Sequence, residues 1–150
     1  MNRSKSFSLI ELLVVLTIVS LVIGLTTAYI FNFRKGSVLS LSAQEIAATF
    51  NQARSLSITK QAEYKVVFDN INNEYVVQDP TNSNIDSGHN IGSGIIIDLI
   101  NFTANTVTFK PTGSANGGRI ILKDNRGKYY TIKVLNVTGR IKILNYQELP

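Results

Sequence analysis

One carboxylate in this chain stands where a carboxylate is costly. Glu11 lies inside Phe7-Ser8-Leu9-Ile10-Glu11-Leu12-Leu13-Val14-Val15, and from Leu12 to Phe33 no residue is charged. A charge within such an apolar run costs on the order of a few kcal/mol, less near the interface, and normally has a partner. No base lies within one helical turn on its C-terminal side, and Ser4 and Ser8 are weak candidates. Lys5 is six residues back, off the i, i+3 and i+4 positions that would face Glu11. A cation supplied by another subunit would satisfy it.

A second group of chemistry-bearing residues is basic. Between Gly113 and Gln147 stand seven bases (Arg119, Lys123, Arg126, Lys128, Lys133, Arg140, Lys142) against one acid, Asp124. Arg126 and Lys128 fall in or beside one turn, next to Tyr129-Tyr130. Bases with aromatics can bind phosphates and stack nucleobases. The same residues equally suit a solvated strand face, or a surface complementary to an acidic one. Such an acidic stretch exists within the chain, because residues 61–108 carry six carboxylates against Lys65 alone.

Other motifs carry less. His89 sits in a polar loop without the base and orienting group a triad needs, and reads as a surface histidine. Asn82, Asn84, Asp86 and Gly88 alternate as in a calcium loop, but the glycine is one place late and no bidentate glutamate follows. Asn101-Phe-Thr103 and Asn136-Val-Thr138 match a glycosylation sequon and read as chance matches. The chain has no cysteine and one histidine, which excludes a disulfide scaffold, a thiol nucleophile and a cysteine-based zinc site. No phosphate-binding glycine loop and no arranged carboxylate pair appear. The expectation is a chain that is not an enzyme, with no catalytic residue, no metal, no cofactor and no small-molecule substrate.

The elements that position these residues follow from periodicity. The chain has 150 residues, 44% of them hydrophobic, which suits one domain with a core. Leu12 to Phe33 is 22 residues, roughly 33 Å as a helix and enough for a bilayer core. Arg3 and Lys5 before it and the polar domain after it imply a cytoplasmic N-terminus and an exported C-terminal domain. A cleavable secretory signal would have a shorter apolar region and a better cleavage site than Leu25-Thr-Thr-Ala28. Beyond Phe33, Leu39, Ala43, Ile46, Phe50 and Ala53 form one apolar stripe at helical period, expected to pack on the domain's own sheet. The helix is expected to end near residues 59–61. Gly24 and Gly36 would loosen it, at about 1 kcal/mol each relative to alanine.

After the helix the pattern changes to strands at 64–69, 74–78, 95–102, 106–110, 119–123, 128–135 and 140–145. Residues 79–94, rich in Asn, Ser, Asp and Gly, read as a long surface loop. Asp124-Asn-Arg-Gly127 and Asn136-Val-Thr-Gly139 have hairpin chemistry.

The segment Phe7-Ser8-Leu9-Ile10-Glu11-Leu12-Leu13-Val14-Val15 closely resembles the N-terminal signature of type IV pilins and type II secretion pseudopilins. The resemblance implies that a prepilin peptidase cuts between Ser6 and Phe7 and that the new amino group of Phe7 is methylated. It makes Glu11 the fifth mature residue, which pairs with the N-terminal amine of a neighbouring subunit during assembly. A charged amine at the membrane face suits a costly carboxylate. Ser6, itself small, stands where the family usually has glycine.

A second resemblance covers most of the remainder. Phe50-Asn-Gln-Ala53-Arg54-Ser55, Val107-Thr-Phe109-Lys-Pro111-Thr-Gly113, Gly118-Arg-Ile-Ile-Leu122 and Gly139-Arg140-Ile-Lys142-Ile143 look like the GspH/FimT group of minor pilins. The implied fold class is α+β and type IV pilin-like: a long N-terminal helix, transmembrane and then amphipathic, packed on an antiparallel β-sheet domain. The implied organisation is a leader peptide at 1–6, a transmembrane and assembly helix at 7–33, and an exported globular domain at 34–150, helical to about 60. The implied function is a minor subunit that primes or caps an inner-membrane filament for type II protein secretion or pilus assembly. Its partners would be other pilin or pseudopilin subunits, the prepilin peptidase and the bacterial inner membrane. The alternative is DNA uptake in natural transformation. Some FimT-like proteins carry a Gly-Arg-x-Arg motif associated with DNA binding, and here the corresponding positions read Gly139-Arg140-Ile141-Lys142, with lysine in place of the second arginine. Lysine keeps the charge of the second arginine but not its planar fork. Arg140 and Lys142, with Arg126 and Lys128, are the candidate DNA-binding residues.

Overall fold

The computed structural model describes residues 8–146, and within them the side chains of all but 25–37. One helix, α1, runs over Leu9–Lys60. The chain divides into two compact units, the first ending at Gly36 and the second beginning at Ser37.

In the first unit the described part of α1 is apolar on every side. Leu9, Ile10, Leu12 to Leu16, Ile18, Val19 and Leu21 to Ile23 are all exposed. Thr17 and Ser20 turn their hydroxyls back onto the carbonyls of Val14 and Leu16, both at 2.7 Å. These hydroxyls therefore need no outside partner. A helix hydrophobic all round needs lipid or other helices around it. Among the described residues no helix is long and apolar enough to cross a membrane. The span expected over 7–33 includes Phe7 and the side chains of 25–33, which lie outside those described.

In the second unit the expected stripe of α1 is the core face. Leu39, Ala43, Ile46, Ala47, Phe50 and Ala53 are buried. Phe50 is the centre of an aromatic cluster, 5.9 Å from Phe68, 6.1 Å from Phe109 and 6.5 Å from Phe102 between ring centroids. The Phe68 and Phe102 contacts are edge-on, the arrangement the ring quadrupoles favour. The helix stops in a left-handed residue, Gln61 with φ 53°. The Ala62 N–H returns to the Ser57 carbonyl at 3.2 Å, the bond that closes a Schellman motif.

Among the described residues eight strands follow: β1 (Tyr64–Asp69), β2 (Glu74–Gln78), β3 (His89–Asn90), β4 (Ile95–Ile100), β5 (Thr106–Phe109), β6 (Gly118–Asp124), β7 (Tyr129–Val134) and β8 (Ile141–Leu144). They form not one sheet but two, each antiparallel and four-stranded, in the orders β3-β2-β1-β5 and β4-β6-β7-β8. The chain leaves the second sheet after β4 and re-enters the first at β5. A 3-10 turn at Thr103–Asn105 makes the change of direction, with Ala104 and Asn105 both at φ 52°. Alternation then sorts the side chains. Val66, Phe68, Tyr75, Val77, Val107 and Phe109 of the first sheet, and Ile120, Leu122, Ile132 and Val134 of the second, join the α1 stripe in one core.

The segment expected as a long loop is largely tied down. β3 pairs with Glu74 and Tyr75, Asn84 bridges to Gln78, and Ile91 is buried. Asp79 accepts from Thr81 and Ser83 at 2.7–2.9 Å. The polar composition that reads as a surface loop supplies these bonds.

Candidate assembly and nucleic-acid sites

Glu11 occupies the first turn of α1. Its side chain is exposed and forms no ion pair with a described residue. Ser6 and Phe7 lie outside the described residues.

The basic residues fall at two separate places. Asp124-Asn-Arg-Gly127 is the turn joining β6 to β7, and Gly127 adopts φ 77° there. Asp124 is buried and collects the turn around itself. It accepts from the N–H of Arg126 and of Lys128, each at 2.9 Å, and pairs with the Arg126 guanidinium at 3.1 Å. Burial pushes the carboxyl pKa up, but the two N–H donors and the guanidinium outweigh it and hold it below the ordinary value. Arg126 is thus committed to closing its own turn. Lys128 stands beside it.

Arg140 and Lys142 lie at the other end of β7. Arg140 is exposed in the β7–β8 turn, where its carbonyl accepts from the Leu135 N–H at 3.0 Å. Six residues of β7 separate the two groups, roughly 20 Å of extended chain. The fold does not bring Arg126 and Lys128 together with Arg140 and Lys142.

It does bring Lys142 to other bases. Register places Lys142 opposite Lys133 and Lys133 opposite Arg119, so three cations share one row across β6, β7 and β8. The neighbouring row holds Ile121, Thr131 and Leu144. Ile121 and Thr131 are buried although they face away from α1, and the Thr131 hydroxyl donates to the Tyr146 carbonyl at 2.8 Å. Arg119 and Lys133 are visible in the sequence as bases. Their alignment with Lys142 is not, because it depends on pairing between distant strands.

His89 has a partner that the sequence does not reveal. Its Nε2 lies 3.0 Å from Asp86 Oδ2, and its ring stacks on Tyr75 with centroids 5.1 Å apart. Asp86 also accepts from the Val77 and Gly88 N–H groups at 3.3 Å. The pair fastens the 79–94 segment to β2, with no nucleophile in contact. Among the described residues no three His, Asp or Glu side chains come together to hold a metal ion.

The C-terminal signatures meet in space. Arg54 Nε donates to the Gly113 carbonyl at 2.9 Å, and Ser57 donates to the Lys110 carbonyl at 3.0 Å. Gly139 presses against the same Gly113 carbonyl; a Cβ there would lie 2.1 Å from that oxygen. Residues spread from the helix end to the last turn thus form one junction.

This arrangement is that of a pilin-class subunit: an N-terminal helix that continues into a globular unit and packs there on antiparallel strands. Residues 42–139, more than half of the chain, match the family described as type II transport protein GspH. Residues 1–27 match the prokaryotic N-terminal methylation motif. The chain belongs to the GspH family. Among solved structures it is similar to the minor pseudopilin EpsH of the Vibrio cholerae type 2 secretion system, at 12% identity, over 71% of this chain and 96% of that one, with a TM-score of 0.58. It is also similar to the type IV minor pilin FimU of Pseudomonas aeruginosa, at 14% identity, over 75% and 92%, with a TM-score of 0.60. At these identities the likeness is one of fold. No curated protein matches. The family is that of the type II transport protein GspH, and the fold is shared by a minor pseudopilin and a minor pilin.

Proposed function

We propose that this subunit primes or caps a filament in the bacterial inner membrane, serving type II protein secretion or pilus assembly. Residues 1–6 are the leader. Prepilin peptidase removes it between Ser6 and Phe7, and Phe7 is then methylated on its new amine. The helix over 7–33 anchors the subunit with its N-terminus cytoplasmic, and residues 34–150 are exported. The observation that carries this reading is the stretch of α1 from Leu9 to Ile23, whose apolar side chains are all exposed, with one carboxylate, Glu11, in its first turn. Such a helix needs a low-dielectric surrounding, and its carboxylate needs a cation there. The amine of a neighbouring subunit supplies it. The test is Glu11→Ala in cells that express the filament system. The variant is expected to insert and be cleaved as usual but to lose co-assembly with partner pilins. Normal assembly would sink the amine-pairing account.

A second reading, binding of DNA for uptake, is favoured by one observation. The exposed Lys142, two residues after the exposed Arg140, stands in one row with Lys133 and Arg119 on the second sheet. Its test is a salt titration of DNA binding by the native chain and by the Arg140→Gln/Lys142→Gln variant.

A further inference from the structure

The end of the second sheet carries a concave site. The last pair between β7 and β8 is Thr131 with Leu144, while β7 extends two residues further and pairs Tyr129 and Tyr130 with β6 alone. Beyond Leu144 the chain bends away, its Tyr146 carbonyl held by Thr131. The gap is a notch of about 460 Å³ lined by Lys128, Tyr129, Tyr130, Asn145 and Tyr146.

The lining narrows what the notch can hold. Successive strand residues face opposite sides. Tyr130 packs on the core rim, so Tyr129 lies on the far face, where the Lys123 ammonium is 5.3 Å from its ring centroid. The notch therefore wraps the sheet edge with an aromatic on either side. In an antiparallel strand, alternate residues direct N–H and C=O to alternate neighbours, so one of Tyr129 and Tyr130 turns both groups toward the gap. One such pair is too little for an added strand. It is enough for a single ring bearing a hydroxyl that both donates and accepts. The Asn145 carboxamide offers a second donor and acceptor. Tyrosine faces carry the negative part of the ring quadrupole, which suits the weakly positive C–H face of a sugar. Among the described residues no carboxylate lines the notch, and Lys128 supplies one ammonium.

We propose that this notch binds a pyranose ring, with preference for one bearing a carboxylate. The test titrates the full chain, in a detergent without a sugar headgroup, with tetramannuronate, with neutral cellotetraose and with a ten-residue oligothymidylate. Isothermal calorimetry reads the binding. Tetramannuronate is expected to saturate the protein with a Kd below about 1 mM. Tyr146→Ala removes an exposed ring and is expected to weaken that binding at least tenfold, with an unchanged melting curve as the folding control. Lys128→Gln is expected to bring the acidic sugar down to the affinity of cellotetraose. Absence of saturation by either sugar overturns the proposal, as does binding unchanged by Tyr146→Ala. Tighter binding of the oligothymidylate, lost in Tyr146→Ala, also overturns it and makes the notch a base-stacking site. An acidic-to-neutral ratio unchanged by Lys128→Gln overturns the carboxylate preference.

Discussion

Arg54 and Gly113 are joined by one hydrogen bond, from the guanidinium Nε to the carbonyl oxygen at 2.9 Å, across 59 residues of sequence. The bond ties the last turns of α1 to the loop after β5. Gly139, from the turn before β8, closes on the same carbonyl. Three parts of the chain that look like separate sequence signatures meet at one point.

That junction predicts a difference between two glycines. Gly139 and Gly127 both adopt positive φ, 59° and 77°. A Cβ at Gly127 meets nothing within 4 Å, whereas one at Gly139 collides with backbone. Gly127→Ala should cost about 1–2 kcal/mol, the left-handed strain alone. Gly139→Ala adds displacement of Gly113 and of its bond to Arg54, and should cost clearly more. Urea denaturation of both variants measures this; equal losses would show that the junction yields freely.

Asp124 predicts an acid sensitivity with a definite sign. Its folded pKa lies below the unfolded value of about 3.9. It therefore contributes stability above that value and loses it as pH falls through the folded pKa. Asp124→Asn should destabilise the protein at neutral pH by about 1–3 kcal/mol, because the Arg126 guanidinium and the N–H groups of Arg126 and Lys128 lose their buried, charged acceptor. It should also flatten the acid limb of a stability–pH profile below about pH 4. A variant that tracks the native protein across that limb would mean that other carboxylates dominate it.

Phe50 predicts where the core is least forgiving. It is fully buried and touches three other aromatic rings. Phe50→Ala should cost about 3–5 kcal/mol, and Phe50→Leu distinctly less. Leu41, on the same helix but exposed, should tolerate alanine within about 0.5 kcal/mol. Thermal unfolding of the three variants checks the order.

The separation of the bases along β7 predicts how DNA binding would divide. If the second reading holds, Arg140→Gln/Lys142→Gln should weaken DNA binding. It should also flatten the plot of log affinity against log salt by about 0.7–0.9 for each phosphate left without its cation. Arg126→Gln should leave that slope unchanged, because its guanidinium is held by Asp124, and should instead lower stability. Binding that is absent, or indifferent to the Arg140 and Lys142 changes, would leave the row as a subunit or solvent face.

Much of this architecture is legible in the sequence, for local reasons. The α1 stripe and the two hairpin turns around β7 follow from periodicity and turn chemistry, which act over a few residues. The expected strand limits lie within a residue or two of those observed, which is the scatter of fraying ends. The division into two sheets is not legible. It depends on the choice of β6 rather than β5 as the neighbour of β4, made at Ala104 and Asn105, neither of them glycine. The 79–94 segment reads as loose because its bonds are side chain to backbone, and composition cannot tell such bonds from solvation. For the sites, Glu11 is conspicuous by its apolar neighbours alone. The Arg119–Lys133–Lys142 row, the Asp86–His89 pair and the tyrosine notch all depend on long-range register.

The crossing of the chain between sheets also bears on how the protein folds. β4 is spent on the second sheet before β5 completes the first, so neither sheet is one continuous stretch of chain. β1 must wait for a strand about forty residues later, and β4 for one beyond that. Such topology favours slow, high-contact-order assembly. Both sheets also share one core with α1, so neither has a stable half-product. A chain delivered N-terminus first gains its globular unit only when β6 and β7 arrive. The unit should then unfold in a single transition, with no intermediate that keeps one sheet and loses the other.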